Sequence, residues 1–182
     1  MGTLVKYADD FVIISKSRKD IQHAHRAVIQ IFNRLELELH PEKTKVINLW
    51  GGKEGFDFLG FHHRITIVKT KHNANYHAMT QIPTSRAMKS MREKIKKIFS
   101  NRGTLGNDIK DMVKTINRKI TGFKNYYALN YIAKQQLKKI DWYLTLRFTI
   151  WYRNKKQLKY RCRYTGELII KLKRLGLGHL SY

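Results

Sequence analysis

The sequence has one cysteine, few acidic residues and no long hydrophobic run. Because Cys162 is the only cysteine, an intrachain disulfide and a zinc site built on several cysteines are both excluded. No apolar stretch reaches the roughly 18 residues that a membrane span needs, and no signal-peptide pattern opens the chain. We therefore expect a soluble protein that is neither secreted nor in a membrane. Its 182 residues suffice for one sizeable hydrophobic core or two small ones.

The scarcity of acidic residues leaves a large positive charge, and this charge is confined to one part of the chain. The 37 Lys and Arg residues outnumber the 13 Asp and Glu residues, for a net charge of +24. Residues 1–60 hold 9 basic and 8 acidic side chains, whereas residues 61–182 hold 28 basic and 5 acidic ones. Such a basic region repels itself unless it faces a polyanion, so nucleic acid is the expected partner. An anionic membrane surface is the alternative, but no single lipid-facing amphipathic segment supports it.

Two adjacent carboxylates stand between two short apolar runs near the start of the chain. Tyr7-Ala8-Asp9-Asp10 separates Leu4–Tyr7 from Phe11–Ile14, and both runs are typical of strands. This pattern predicts a tight hairpin that holds the carboxylates at its turn. Carboxylates in that position can bind Mg²⁺, which would activate a 3′-hydroxyl and neutralise phosphoryl charge during nucleotidyl transfer. The plainer alternative is an exposed hairpin turn that needs no metal.

A helix and several strands are predicted after this hairpin. Ser17 followed by Asp20 resembles a capping box, so a helix begins there and ends before Pro41. Apolar residues then repeat at spacings of three and four, which predicts a stripe that packs on the hairpin. That stripe consists of Ile21, Ala24, Val28, Ile31, Phe32 and Leu35. Strands are predicted at residues 44–49, 56–62, 65–69 and 76–82, with a turn at 51–55 and a loop at 71–75.

The rest of the chain has the apolar spacing of helices. Pro83-Thr84-Ser85 marks the boundary, with Ser85 as the expected cap of a helix that ends at Asn101-Arg102-Gly103. A second helix starts near Asn107 and is interrupted at Thr121-Gly122. A third, longer and cationic, starts near Asn130, and its apolar stripe consists of Ala133, Leu137, Ile140, Leu144, Phe148 and Trp151. The predicted fold class is α+β, in which a hairpin sheet with a packed helix precedes an all-α basic domain.

Three segments resemble motifs of reverse transcriptases and occur in the order of that family. Tyr7-Ala8-Asp9-Asp10 with its apolar flanks resembles the active-site hairpin. Leu39–Lys45 resembles the motif after the palm helix, and Phe58-Leu59-Gly60-Phe61 resembles the next palm motif, beside the primer end. The resemblance implies that Asp9 and Asp10 coordinate the two catalytic Mg²⁺ ions.

The same resemblance implies roles for four further residues. Tyr7 and Ala8 would contact the primer or the nucleotide, Lys43 would lie near the leaving pyrophosphate, and Gly60 would allow close backbone approach at the hairpin that grips the primer. Each has a plainer alternative. Tyr7 is then a cross-strand packing residue, Lys43 a solvated lysine, and Gly60 relief within a strand or bulge.

One family feature is missing from this sequence. Reverse transcriptases need a third carboxylate from an earlier palm strand, and this chain begins only six residues before Tyr7. The fingers, which hold the incoming nucleotide, are missing as well. Asp20 is better explained as a helix-capping residue and Asp57 as a strand-edge charge. We therefore expect a fragment that is inactive as a polymerase by itself.

The second half of the chain resembles group II intron maturases. Ile120–Tyr127 resembles their Gly-aromatic-x-Asn-Tyr-Tyr stretch, and the cationic helix that ends at Trp151–Lys156 fits the same region. The resemblance implies that residues 1–82 are the C-terminal part of a reverse-transcriptase palm. Residues 83–182 would be a helical thumb or maturase-specific RNA-binding domain.

Twelve residues of this domain are candidates for RNA binding. Tyr126, Tyr127 and Tyr152 lie beside cations and are candidates for base stacking or phosphate contact. The full set is Lys124, Asn125, Tyr126, Tyr127, Lys134, Lys138, Lys139, Arg147, Tyr152, Arg153, Lys155 and Lys156. These aromatic residues can also be ordinary core, and we expect Trp142, Phe148 and Trp151 on or near the apolar stripe.

The implied function is RNA-directed DNA synthesis together with intron RNA binding for splicing and mobility. The implied partners are group II intron RNA, an RNA template with a DNA primer, and the missing N-terminal half of the reverse transcriptase, in a bacterial cytoplasm or an organelle. One alternative is a non-enzymatic RNA-binding splicing maturase whose carboxylates are relics. Another is a nonspecific basic nucleic-acid binder. The single cysteine excludes the cysteine-pair metal site of the endonuclease that some family members carry.

Overall fold

Helices and short antiparallel strands make up the part of the chain that the computed structural model describes, namely residues 2–69, 75–157 and 165–181. The strands are β1 (Thr3–Tyr7), β2 (Asp10–Ile14), β3 (Gly55–Phe58), β4 (Phe61–Lys69) and β5 (Asn75–Pro83). The α-helices are α1 (Arg18–Arg34), α2 (Ser85–Ser100), α3 (Ile109–Tyr127), α4 (Tyr131–Lys156) and α5 (Thr165–Arg174). The predicted α+β class is confirmed. None of the described helices is both long and apolar enough to cross a membrane.

The predicted N-terminal hairpin is formed by β1 and β2. The two strands pair antiparallel with Tyr7 opposite Asp10, so Ala8 and Asp9 make a two-residue turn. The predicted cap of α1 is also confirmed, since the backbone N–H of Asp20 donates to Ser17 Oγ at 3.1 Å. The helix ends at Arg34, earlier than predicted. Glu36 has a positive φ of 55°, so the chain has left helical geometry before it reaches Pro41.

The hairpin and α1 leave much of their apolar surface exposed. One contact between them is the ring of Phe11 against that of Phe32, with centroids 6.1 Å apart. No residue of α1 is buried, and large apolar side chains on both elements face solvent. These side chains are Leu4, Val5, Tyr7, Ile14, Ile29 and Ile31. The predicted apolar stripe of α1 therefore meets the sheet without building a buried core.

The strand predicted over residues 44–49 does not form, so this prediction is wrong. The segment has neither helix nor strand, and no strand of the described chain pairs with it. The backbone N–H of Asn48 instead donates to a carboxylate oxygen of Glu54 at 2.6 Å. Strand formation depends on a neighbouring strand more than on local propensity, which is why the apolar pattern misled here.

The second sheet consists of β3, β4 and β5 in that order, all antiparallel. One strand was predicted over residues 56–62, and this prediction is wrong. Leu59 and Gly60 have positive φ angles, 50° and 80°, and turn the chain between β3 and β4. The two further predicted strands are confirmed as parts of β4 and β5. The predicted loop between them lies largely outside the described residues.

The helical predictions hold apart from two details. The backbone N–H of Ala87 donates to Thr84 Oγ1 at 3.1 Å, so Thr84 caps α2 in place of Ser85. Helix α3 continues through Gly122, where an interruption was predicted. A single helical glycine costs only about 1 kcal/mol, and the buried residues of α3 and the half-buried Phe123 that follows Gly122 offset that cost. Helix α4 begins at Tyr131, close to the predicted start near Asn130, and Asn130 caps it.

The hydrophobic core lies between α2, α3, α4 and α5. All six residues of the predicted α4 stripe are buried, from Ala133 to Trp151. The other buried apolar residues of these helices and of the C-terminal segment are Met88, Met91, Ile95, Phe99, Ile109, Met112, Val113, Ile116, Ile120, Leu168, Leu172 and Leu180. Trp142, which was predicted on or near this stripe, is exposed.

The C-terminal segment after α5 is held on the helices by two polar side chains. The carboxylate of Asp141 accepts hydrogen bonds from the backbone N–H groups of Leu180 at 2.8 Å and Ser181 at 3.1 Å. The amide of Asn117 bonds the backbone of Gly176 and Gly178. The segment after α5 is therefore packed in place. Cys162 lies outside the described residues.

Candidate polymerase and nucleic-acid sites

The carboxylates predicted to bind metal lie at the tip of the N-terminal hairpin. Asp9 occupies the turn, Asp10 opens β2, and both are exposed. Ala8 has a φ of 51°, a left-handed conformation that is unfavourable for a residue with a Cβ. Non-glycine residues in this region occur at functional sites more often than elsewhere. Tyr7 lies beside them and is largely exposed, so its ring is not packed into a core.

By themselves these two carboxylates would supply only part of the ligand set of a magnesium pair. Oxygen ligands suit Mg²⁺, but no group of three or more His, Cys, Asp or Glu side chains comes together among the described residues. Lys43 lies in an exposed turn and makes no ion pair with Asp9 or Asp10 in the described part of the chain. The described residues therefore fit a partial metal site, and the role of Lys43 stays a prediction.

The turn between β3 and β4 is held by an aromatic cluster, which we name the aromatic clamp: Phe61, Tyr126 and Tyr127. The ring centroid of Phe61 lies 5.1 Å from that of Tyr126 and 5.0 Å from that of Tyr127. Tyr126 also donates its hydroxyl to the carbonyl oxygen of Leu59 at 2.9 Å. Burial raises the pKa of the Tyr127 hydroxyl above its usual value. The clamp joins the three-stranded sheet to the last turn of α3.

Gly60 is needed for the close approach of this turn to the clamp. A Cβ at this position would lie 2.7 Å from the hydroxyl oxygen of Tyr127, and the φ of 80° disfavours any side chain. Gly60 therefore lies in a turn, and not within a strand or a bulge. Its predicted contact with primer stays a prediction, as does RNA contact by Tyr126 and Tyr127.

Two histidines of β4 lie beside the turn in different environments. His62 Nδ1 is 2.7 Å from the carboxylate of Asp57, so this strand-edge carboxylate has a hydrogen-bond partner. The ring of His63 stacks on Phe56 with centroids 4.9 Å apart, and burial lowers the pKa of His63 from its usual 6.5. The neutral form of His63 is therefore favoured in the folded protein.

Two cations of α4 that were predicted to bind RNA are engaged inside the protein. The ammonium of Lys155 donates to the carbonyl oxygens of Leu105 at 2.8 Å and Asn107 at 2.7 Å, which holds the short 3-10 helix Arg102–Gly106. A guanidinium NH₂ of Arg147 donates to Ser100 Oγ at 3.2 Å. Arg147 also lines a cavity of about 260 Å³ between α2 and α4.

The other candidates differ in how much of each side chain reaches solvent. Lys138, Lys139 and Lys156 on α4 are exposed, and so is Asn125 on α3. Half-buried candidates are Lys124, Lys134, Tyr152 and Arg153. The exposed lysines of α4 therefore have the best access to a nucleic acid.

Sequence reasoning missed two residues of functional interest. Asn130 both caps α4 and donates its side-chain N–H to the carbonyl oxygen of Gln81 at 2.8 Å, which ties α4 to β5. Trp142 is exposed on the outer side of α4. A signal for Trp142 was present, since it lies nine residues from both Ala133 and Trp151, and at about 100° per residue that is half a turn away from the core.

Substitution of Gly60 by alanine should destabilise the protein by about 2 kcal/mol, because the new Cβ combines left-handed strain with a clash against Tyr127. Urea unfolding measures this loss. Tyr127→Phe removes the hydroxyl that the new Cβ would meet. In a Tyr127→Phe background, Gly60→Ala should therefore cost less stability than it does in the wild type, because only the left-handed strain remains. The matched control is Gly122→Ala, where a Cβ meets no atom within 4 Å in a helix, so a gain of about 0.5–1 kcal/mol is expected. Equal effects at the two glycines would contradict the clamp.

The thermal stability should fall as the pH drops below 6.5, in part through His63. Its pKa is lowered by folding, so its contribution is fully present above the usual value of 6.5 and is lost as the pH falls through the lowered pKa. His63→Phe keeps the stacking on Phe56 and should flatten the decrease in Tm between neutral and mildly acidic pH. His77→Phe, at an exposed position of β5, is the control and should leave the slope as in the wild type. The same slope in both variants would rule out His63 as the cause.

Comparisons with known proteins match two segments of the chain to two family models. Residues 2–63 match the family model for reverse transcriptase (RNA-dependent DNA polymerase), and residues 88–165 match that for the group II intron maturase-specific domain. Searches of curated proteins and of solved structures returned no match. The first match contains the carboxylate hairpin and the turn at Gly60, and the second contains α3, α4 and most of α2. The two matches together cover most of the chain, which therefore belongs to the family of group II intron reverse transcriptases and maturases.

Proposed function

We propose that residues 83–182 bind structured group II intron RNA and that residues 1–82 contribute the C-terminal part of the reverse-transcriptase palm. The observation that carries this proposal is the position of Lys138 and Lys139, which are exposed on α4 while the opposite side of the helix is buried. These lysines belong to residues 61–182, where 28 basic residues outnumber 5 acidic ones. Contacts from such cations to phosphates supply most of the affinity for RNA.

The helical part also holds the backbone positions of these cations on a packed core. A continuous buried core supports α4 along its length, and the carbonyl contacts of Lys155 fix the neighbouring 3-10 helix. Folded RNA is recognised largely by its shape and its phosphates, and cations at set backbone positions suit such recognition. This favours a maturase over a nonspecific basic binder.

The polymerase part of the proposal rests on Asp9 and Asp10. We assign them to the magnesium pair that activates the primer 3′-hydroxyl in RNA-templated DNA synthesis. A third carboxylate must then come from outside the described residues, and the N-terminal half of a reverse transcriptase is the proposed source. The exposed apolar surface of the hairpin and α1 is consistent with such a partner. The bacterial cytoplasm or an organelle is the proposed location.

A second candidate function is RNA binding without catalysis. The observation that favours it is the lack of any three-ligand group among the described residues. In that case the protein assists splicing by stabilising folded intron RNA, and Asp9 and Asp10 are relics. The two candidates share the helical RNA surface and differ only in the carboxylate hairpin.

Reversal of charge at Lys138 and Lys139 should weaken binding of a group II intron RNA and reduce the salt dependence of that binding. Each lost phosphate contact lowers the slope of log K against log salt by about 1. Filter binding over a range of KCl concentrations measures both effects in Lys138→Glu/Lys139→Glu.

The matched control is Lys16→Glu/Lys19→Glu, which makes the same change of charge at exposed positions in the near-neutral part of the chain. The control should bind nearly as the wild type does. Equal slopes of log K against log salt in the wild type and the α4 variant would mean that RNA binds to another surface. Unrelated duplex RNA as competitor separates a maturase, which prefers its intron at raised salt, from a nonspecific binder.

The chain by itself should not extend a primer on an RNA template in the presence of Mg²⁺, because two carboxylates do not complete the metal site. Coexpression with the N-terminal half of a related reverse transcriptase should produce extension that Asp9→Asn abolishes. Intron binding by Asp9→Asn should be at least as tight as that of the wild type. Extension by the chain alone would contradict the incomplete site, and no extension in the coexpressed pair would favour the non-catalytic function.

A further inference from the structure

An exposed tryptophan lies on the outer side of the longest helix. The side chain of Trp142 is 68% exposed, and within the described residues its ring makes no aromatic contact and its indole N–H no hydrogen bond. Trp151, on the same helix, is 1% exposed and donates its indole N–H to Thr104. The two tryptophans thus have opposite environments, and the folded helices do not need the ring of Trp142.

Cations and a second aromatic residue share this side of α4. Lys138 and Lys139 lie four and three residues before Trp142, so they are its neighbours on the helix surface, and both are exposed. Tyr131 lies eleven residues before Trp142, about three turns away on the same side, and is 74% exposed. We name this set the outer face of α4: Tyr131, Lys138, Lys139 and Trp142.

The positive charge around the outer face favours a polyanionic ligand over an apolar protein surface. The acidic residue next to Trp142 in the sequence is Asp141, whose two carboxylate oxygens accept hydrogen bonds from the backbone N–H groups of Leu180 and Ser181. Among the described residues Asp141 makes no ion pair with Lys138 or Lys139. An exposed ring between unpaired cations is the arrangement by which proteins bind unpaired nucleotides, with bases on the ring and phosphates on the cations.

We propose that Trp142 stacks with an unpaired nucleobase of RNA while Lys138 and Lys139 contact the adjacent phosphates. This inference rests on the proposed RNA binding and adds to it a specific kind of ligand, a single-stranded segment. The outer face thereby distinguishes loops and ends of a folded RNA from its duplex parts, because paired bases cannot reach the ring. Tyr131 offers a second stacking surface farther along the helix.

The first test compares two exposed tryptophans. Trp142→Ala should weaken binding of a single-stranded RNA of about 12 nucleotides on the order of 10-fold, as expected for loss of one stacked base. The matched control is Trp50→Ala, since Trp50 is 73% exposed but lies in the near-neutral part of the chain. Trp142→Phe keeps an aromatic ring and should retain most of the affinity. Circular dichroism and urea unfolding verify that each variant folds.

The second test observes the ring directly. In a Trp50→Phe background the remaining tryptophans are Trp142 and Trp151, and Trp151 is buried. The RNA should quench the fluorescence of this variant, and an oligonucleotide of the same length without bases should not. Trp142→Ala should leave the salt slope unchanged, because stacking releases no counterions, whereas Lys138→Gln should reduce the slope by about 1.

Several outcomes would overturn the inference. Equal affinities of Trp142→Ala and Trp50→Ala, or quenching by the oligonucleotide without bases, would show that no base stacks on Trp142. Self-association that is lost in Trp142→Ala would make this face a protein interface. Tight binding of intron duplexes with none of the single strand would overturn the inference while the proposed function stands. Failure of every RNA to bind would overturn both.

Discussion

The packing of Phe61 against Tyr126 and Tyr127 joins the three-stranded sheet to α3, as the hydrogen bond from Asn130 to Gln81 joins it to α4. It joins the first residue of β4 to the last turn of α3, and the hydroxyl of Tyr126 holds the turn itself through the carbonyl of Leu59. Such aromatic contacts combine a large buried area with preferred ring geometry. Because Gly60 has no side chain, the turn comes close enough for this packing. A turn that resembles a primer-gripping motif is thereby fixed to a helix of the maturase-specific region.

The two ends of the chain differ in how they are stabilised. The helices share a continuous buried core, to which the C-terminal segment is attached through Asp141 and Asn117. The N-terminal hairpin and α1 bury no comparable core, and their apolar side chains remain at the surface. This difference agrees with the proposed division of function, in which the helical part binds RNA alone and the hairpin needs further residues to complete its site.

Helix α4 has two roles that its sequence places on opposite sides. One side carries the buried stripe from Ala133 to Trp151, and the other carries Trp142 with its neighbouring lysines. Not all of its cations are free to bind a ligand, since Lys155 donates hydrogen bonds to carbonyl oxygens in and beside the 3-10 helix. A count of positive charges therefore overestimates the proposed RNA surface. The cations that remain at the solvent side define it better.

The sequence by itself determined the α+β class, the carboxylate hairpin, the cap of α1 by Ser17 and the buried stripe of α4. These features depend on contacts close along the chain or on helical periodicity, which can be read from residue order. Only the tertiary structure decided that residues 44–49 form no strand, that α3 continues through Gly122 and that Tyr126 and Tyr127 pack on the turn at Gly60. Each of these depends on residues that are distant in the sequence, such as Phe61 and Tyr127, or on the lack of a neighbouring strand. Local pattern contains no information about such distant partners, and for that reason it could not separate a packed tyrosine from an exposed one.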